Sequence, residues 1–380
     1  VVFVNSLLVQ SIQERASDIH IEPQENNLRI RLRIDGMLRE FPPANRRLQS
    51  GVIARIKILA DLDIAERRIP QDGRVKFKIM GRSVDVRCST IPGIYGEKIV
   101  MRILDQGSTS LNLDDLGFDD HKLVLLKEKA NAANGMILVT GPTGSGKTTT
   151  LYSVLNYVNS PQLNIITVED PVEYRLEGIN QVQARPNVGL TFASALRSIL
   201  RQDPDIVMVG EIRDLETAEI AIKAALTGHM VLSTLHTNNA VATIIRLLNM
   251  GIDKYLIVSS VSVIVAQRLV RRVCTSCREP VEPTEDIKMF MERQGIDLAK
   301  STFYKGKGCK QCSGSGFWGR MGIHEILFMN PTIKELIIND ASEMEIREAA
   351  QEAGTGTLFE EGLIRAEKGM TTLEEVIRVA

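Results

Sequence analysis

No surplus of either charge marks this 380-residue chain: 46 Lys and Arg stand against 47 Asp and Glu, a net of −1. That balance gives no global case for a nucleic-acid or membrane-surface partner. Aromatic residues make up only 4%, and no basic, aromatic-rich surface of the kind nucleic-acid binders carry is in view. No apolar run reaches about 18 residues, so no transmembrane segment is expected. Val1-Val2-Phe3 offers neither an initiator Met nor a signal-peptide pattern, and the expectation is a chain that begins inside a longer protein. Cysteine is also scarce, five in all. Four of them fall in two C-x-x-C pairs, which points to a metal site rather than a disulfide framework, and to a reducing, cytoplasmic setting. What remains is a globular composition, 44% hydrophobic and 24% charged, long enough for two or three domains.

The most informative stretch is Gly141-Pro142-Thr143-Gly144-Ser145-Gly146-Lys147-Thr148, which fits G-x-x-x-x-G-K-[ST]. An apolar run at 136–139 precedes it and a helix-like stretch at 149–158 follows. Strand, glycine-rich loop, helix is the order that a phosphate-binding loop requires. Gly141, Gly144 and Gly146 let the backbone wrap close to phosphates without a Cβ in the way. The N–H groups from Thr143 to Thr149 then face the negative charge. Lys147 is expected to reach the β- and γ-phosphates of ATP, and the Thr148 hydroxyl to ligate Mg²⁺.

Upstream, 1–15 reads as an amphipathic helix and 28–34 alternates perfectly as a half-buried strand. Asp35-Gly36 turns into a return strand at 37–41. A second helix at 50–60 and strands at 75–80, 83–89 and 98–104, with a turn at Gly81, complete an α+β domain. Its exposed arginines on 28–34 read as a solvated face in preference to a binding patch. Arg74, Arg87 and Arg102 carry two open readings, ordinary ion pairing or contact with a phosphate in the same or a neighbouring subunit. Cys88 reads as a packed strand cysteine. The polar stretch 105–114 is a linker signal. The domains expected are 1–108 and 109–380, the second including a cysteine insertion at 271–322 and helices at 331–380.

From about 112 to 274 strands alternate with helices, which argues for a parallel sheet covered on both faces. The strand at 164–168 ends in Glu169-Asp170, where carboxylates of open α/β sheets meet ligands. Glu169 or Asp170 is a candidate for water-mediated Mg²⁺ binding or for positioning the attacking water, with a simple loop acid as the alternative. The run 206–209 leads through Gly210 to Glu211, the residue expected to polarise that water. Thr191 is expected to cap a helix at 192–200. Gly228 to Thr237 is strand-like with His229 and His236 near its ends, and His236 is a candidate sensor of the γ-phosphate or a structural histidine.

These motifs together resemble the secretion and type IV pilus ATPases, hexameric motors of type II secretion and pilus assembly. The likeness covers nearly the whole chain. It is carried by the phosphate loop, the acidic box Ile166 to Glu173, the segment Leu200 to Asp214 and the histidine box Thr227 to Thr237. The resemblance implies a RecA-like P-loop ATPase domain preceded by an α+β domain resembling a PAS fold, and a homohexamer with ATP between the lobes. It carries over Lys147 and Thr148 to phosphate and Mg²⁺, Glu169 to the acidic box, Glu211 as catalytic glutamate, His229 and His236 to the histidine box, and Arg74, Arg87 and Arg102 as phosphate-approaching arginines. It implies a cytoplasmic protein, peripheral on the inner face of the bacterial inner membrane. Its partners would be an inner-membrane platform protein and membrane-associated assembly proteins, with no nucleic acid. Pilus extension is favoured over type II secretion, and an ATP-binding ring scaffold without turnover is the alternative of another class.

Cys274, Cys277, Cys309 and Cys312 form the two C-x-x-C pairs. Each pair presents two thiolates from a tight turn, and four thiolates complete a tetrahedral, structural Zn²⁺ site. The family's assembly and secretion motors resemble this chain in carrying such a tetracysteine element, whereas the pilus-retraction branch looks different.

Overall fold

The computed structural model describes residues 1–79, 82–104, 111–298 and 301–380. The turn expected at Gly81 and most of the polar linker, 105–110, lie outside the described residues. The chain divides into two compact units, residues 1–110 and 111–380.

In the first unit, helices α1 (Val2–Gln13) and α2 (Gln49–Leu59) accompany six strands. These are β1 (Ala16–Pro23), β2 (Asn27–Ile34), β3 (Met37–Asn45), β4 (Gln71–Ile79), β5 (Arg82–Ile91) and β6 (Lys98–Leu104). They form one antiparallel sheet in the order β3-β2-β1-β6-β5-β4. The alternation in β2 is realised residue by residue: Leu28, Ile30, Leu32 and Ile34 are buried, and the arginines between them are not. The buried set packs with Ile19, Ile21, Ile99 and Met101 under Val4, Leu7 and Leu8 of α1 and Val52 and Ile56 of α2. Cys88 belongs to that core, and burial pushes its thiol up to about 12. The sequence reading assigns no element to 16–23, which the structure makes the central strand β1. Asp18, His20 and Glu22 fill one of its faces, and this polar density hides the two-residue period.

That polar face is where the β2 arginines go. Glu22 accepts from Arg29 Nε (3.0 Å), Arg31 Nη2 (2.8 Å) and Lys98 Nζ (2.9 Å). Asp18 accepts from Arg102 Nε at 2.9 Å and lies 3.7 Å from Arg33 Nε. The expected solvated face is thus an ion-paired lattice across three strands.

The second unit opens with α3 (Asp120–Ala130) and continues through β7 (Gly135–Thr140), α4 (Lys147–Val158), β8 (Ile165–Glu169), β9 (Asn180–Gln183), α5 (Phe192–Ile199), β10 (Ile206–Val209), α6 (Leu215–Leu226), β11 (Met230–Leu235), α7 (Ala240–Asn249), α8 (Lys254–Ser260) and β12 (Val261–Val273). A small hairpin with one helix follows, β13 (Arg278–Val281), α9 (Glu285–Arg293) and β14 (Phe303–Gly306). Then come β15 (Phe317–Phe328) and helices α10 (Pro331–Ile338), α11 (Glu343–Glu352), α12 (Leu358–Glu367) and α13 (Leu373–Val379).

The large sheet runs β15-β12-β7-β11-β10-β8-β9, parallel throughout except for β15. Strands β7, β8, β10 and β11 are buried at every position, as a parallel sheet covered on both faces demands. One face packs against α3 and α4, the other against α5 to α8, α10 and α11. Thr191 caps α5 in a reciprocal capping box with Ser194. The consequence for the site is directional. Because the strands run parallel, the ends of β7, β8, β10, β11 and β12 emerge at one edge of the sheet.

Candidate functional site

At that edge β7 delivers its last residue, Thr140, into a fully buried position. Its hydroxyl lies 3.1 Å from Leu235 O and bonds the Thr237 hydroxyl, locking the β7 and β11 ends together. Three glycines then carry the chain through positive φ: Gly141 at +146°, Gly144 at +82° and Gly146 at +91°. A Cβ on Gly141 would stand 2.6 Å from Gln267 O, a clash with backbone that only glycine avoids. Gly146 is the left-handed residue from which α4 starts, and no side chain caps that N-terminus. The first N–H groups of a 12-residue helix therefore face the loop.

Lys147 Nζ crosses the loop and donates to Gly141 O (2.8 Å) and Pro142 O (3.1 Å). Burial lowers its pKa and Arg268 adds to that, while Glu211 works the other way. Thr143, Gly144 and Thr148 are exposed, and Thr149 is half-buried. Ser145 is buried, and its hydroxyl has no hydrogen-bond partner among the described residues.

A residue that the sequence reading passes over holds this loop from beneath. Gln267, only 2% exposed on β12, donates from Nε2 to Ser145 O at 2.7 Å. Its Oε1 accepts from the Thr150 hydroxyl at 2.7 Å. One side-chain amide thus ties the loop backbone to the first turn of α4. The signal was in the sequence, since Gln267-Arg268 interrupts an otherwise apolar run.

The neighbouring strand ends supply the acids. Gly210 continues β10, donating to Val168 O at 2.8 Å. A Cβ there would come 3.3 Å from the Glu169 Cα, so the close approach of β8 accounts for glycine ahead of Glu211. Glu211 accepts from Arg213 Nη2 and lies 3.5 Å from His236 Nε2. It raises the pKa of Arg213 and acts electrostatically on Lys147. The structure therefore gathers Lys147, Glu211, Arg213 and His236 at one edge.

Glu169 is differently placed. It is 3% exposed and turned toward α4, where it accepts from the Tyr152 hydroxyl, from Thr167 Oγ1 at 2.6 Å and from Gln181 Nε2 at 3.1 Å. Burial, and then the charge of Glu169, push the Tyr152 phenol far above its ordinary range. His229, expected beside the nucleotide, stands instead ahead of β11, where Gly135 N donates to its carbonyl at 3.2 Å and its ring Nδ1 lies 3.1 Å from Ala224 O. Strand β11 separates it from His236 by about 20 Å at the usual rise. The two histidines thus occupy opposite edges of the sheet. In the first unit, Arg74 pairs with Arg87, and Arg87 with Arg102, across β4, β5 and β6. The three arginines form one cross-strand row that ends on Asp18.

A second centre follows directly from β12. The Sγ atoms of Cys274, Cys277, Cys309 and Cys312 all lie within 4.8 Å of one another. Cys274–Cys309 and Cys277–Cys312 are each 3.9 Å apart, and Cys309–Cys312 is 3.7 Å. Four sulfurs at the usual Zn–S bond length of about 2.3 Å would stand about 3.8 Å apart at tetrahedral angles, so the donor set fits zinc. Burial works against ionisation of Cys312, but N–H groups of Cys309 (3.1 Å) and Gly316 (3.3 Å) point at its sulfur and bring its pKa down to about 6. Gly306 and Gly316 let the two flanking segments touch backbone to backbone.

Residues 1–378 match the family described as Type II/IV secretion system protein. A Type IV pilus assembly ATPase PilB of Myxococcus xanthus is 50% identical over 98% of this chain and 66% of its own length. The Type II secretion system ATPase E of Vibrio cholerae is 50% identical over 99% of this chain and 74% of its own. Among solved structures, the pilus retraction motor PilT with bound ADP aligns at a TM-score of 0.65 and 26% identity, covering 98% of this chain and 96% of that one. The chain spans about two thirds to three quarters of the length of these curated relatives.

Proposed function

This chain belongs to the type II/IV secretion system protein family, and from that premise we propose that it is the ATP-hydrolysing body of an assembly motor. The observation that carries the reading is the convergence of Lys147, Thr148, Glu211 and His236 at one edge of the parallel sheet. A nucleotide's phosphates would lie in the glycine loop against the α4 N-terminus, with Lys147 exchanging the carbonyls of Gly141 and Pro142 for phosphate oxygens. Thr148 would hold Mg²⁺, which when bound neutralises charge on the phosphate oxygens. Glu211, positioned by Arg213, would orient and polarise the attacking water, and His236 would report the terminal phosphate to Glu211. Glu169 would support this edge through Tyr152 and Gln181, one shell back.

The further parts of the reading rest on the family likeness. The second unit would be RecA-like and the first would resemble a PAS fold. Six copies would form a ring, with Arg74, Arg87 and Arg102 completing a phosphate site. The motor would act on a platform protein at the cytoplasmic face of the inner membrane. Pilus extension is the proposed output. Type II secretion stands beside it because a type II secretion ATPase is equally identical, at 50%. Binding that differs between two arrangements of the subunit is what would convert turnover into motion.

The test is ATPase activity measured against oligomeric mass across a concentration series, with Glu211→Gln alongside. Activity should rise as larger assemblies form, and Glu211→Gln should cut turnover on the order of 100-fold while sparing ATP binding. Full activity in a monomer, or turnover surviving Glu211→Gln, would overturn the reading.

A further inference from the structure

The residue next to the Gln267 clamp has no role in the reading above. Arg268 is half-buried on β12. Its Nη1 donates to Gln267 O at 3.1 Å, the same carbonyl that abuts Gly141. Its Nη2 donates to Asn238 O at 3.0 Å, two residues beyond His236. The guanidinium therefore joins the carbonyl packed against Gly141 to the segment that carries His236. Among the described residues no carboxylate lies within ion-pair distance of it. Glu325 acts on it electrostatically, and that carboxylate is already engaged by Ala240 N at 2.7 Å.

An arginine normally takes a carboxylate or phosphate partner when it leaves water, because neutral carbonyls repay only part of the desolvation. Here a partly buried cation rests on two backbone carbonyls, close enough to Lys147 for its charge to be felt there. Two cations facing one edge, with Glu211 half-committed to Arg213, leave that edge in need of an anion.

We propose that Arg268 is a nucleotide-contacting residue of the same subunit, which exchanges Asn238 O for an oxygen of the terminal phosphate and so makes the site prefer ATP over ADP. This rests on the phosphate-loop reading. Release of Asn238 would also free the 236–239 segment, so that the segment's position registers which nucleotide is bound.

The experiment is titration of a fluorescent non-hydrolysable ATP analogue and of fluorescent ADP into the purified chain. The variants are Arg268→Gln and Arg268→Lys, each first checked for its thermal transition and zinc content. Arg268→Gln should weaken the ATP analogue about ten-fold, the worth of one charge-assisted hydrogen bond to phosphate, and ADP less than two-fold. Arg268→Lys should recover part of the loss. An equal loss for both nucleotides, with a lowered transition, would mean that Arg268 only braces the 236–239 segment and would overturn the proposal. Unchanged affinities would do the same. If the unaltered chain bound neither nucleotide, the phosphate-loop reading itself would fail.

Discussion

Glu22 and Lys147 are both charged groups at the centre of a cluster, and they are treated differently. On the first unit's sheet, Glu22 gathers Arg29, Arg31 and Lys98. Burial by itself would raise its pKa, but the hydrogen bonds from Arg31 and Lys98 win and hold it at about 2. At the end of β7, Lys147 and Arg268 rest on backbone carbonyls. The first cluster has all the partners its charge asks for, and the second has charge to spare. A closed network of ion pairs stabilises a face, whereas an edge with uncommitted cations is prepared to receive an anion. The four cysteines are a third arrangement, a set of donors that only a cation can close.

The cysteine site gives the largest effect. Cys309→Ser, or a strong chelator on the unaltered protein, should remove one zinc per chain and melt the 274–316 segment. The binding energy of a structural zinc is of the order of 10 kcal/mol. Metal analysis together with limited proteolysis reads both. A four-cysteine segment that stayed protected without metal would show that its backbone packing, not zinc, closes it.

Next is the closed cluster. Glu22→Gln leaves Arg29, Arg31 and Lys98 crowded without their shared anion and should cost about 2 kcal/mol of stability. Nucleotide affinity should not move. A denaturant midpoint unchanged by this substitution would mean that solvent alone satisfies those cations.

Acid separates the two units more gently. His324 stacks on Phe118 at 4.0 Å between ring centroids. Burial first, then Arg365 and Lys122, lower its pKa to about 3. A histidine held neutral in the fold loses stability as the pH drops through 6.5 toward 3, because the unfolded chain takes up the proton first. Glu22, held ionised, contributes stability above 4.5 that is lost only as pH falls from there toward 2. Between pH 7 and 5.5 His324 should therefore weaken the second unit by about 1 kcal/mol, before Glu22 begins to lose its charge; His20 on β1, its pKa also lowered by burial, adds a loss of the same sign in the first unit. Trp318, the single tryptophan, lies on β15 of the second unit and its fluorescence follows that change. Loss of the pH dependence in His324→Gln would support the assignment, and its persistence would refute it.

Legibility followed from how local each feature is. The phosphate loop, the two C-x-x-C pairs and the alternation in β2 are each contiguous, and each states its chemistry within a few residues. Strand β12 was not delimited because the apolar run through α8 and β12 carries no period that distinguishes helix from buried strand. Gln267 and Arg268 shared that obscurity, since Gln267 touches residues more than 100 positions away in sequence and Arg268 reaches back 30 positions to Asn238.

By itself the sequence determined the loop's backbone path, through glycines at positions where a Cβ does not fit, and the donor types at both centres. Tertiary structure decided which of the named residues meet. The parallel register of β11 with β7 carries His236 to the phosphate-loop edge and leaves His229 at the other. The pleat of β8 turns Glu169 onto α4, toward Tyr152 and Gln181. Pairing across β4, β5 and β6 lines up three arginines that lie as far apart as positions 74 and 102. Strand register and side-chain direction depend on which segments lie side by side, and that is a property of the packed sheet rather than of any stretch of chain.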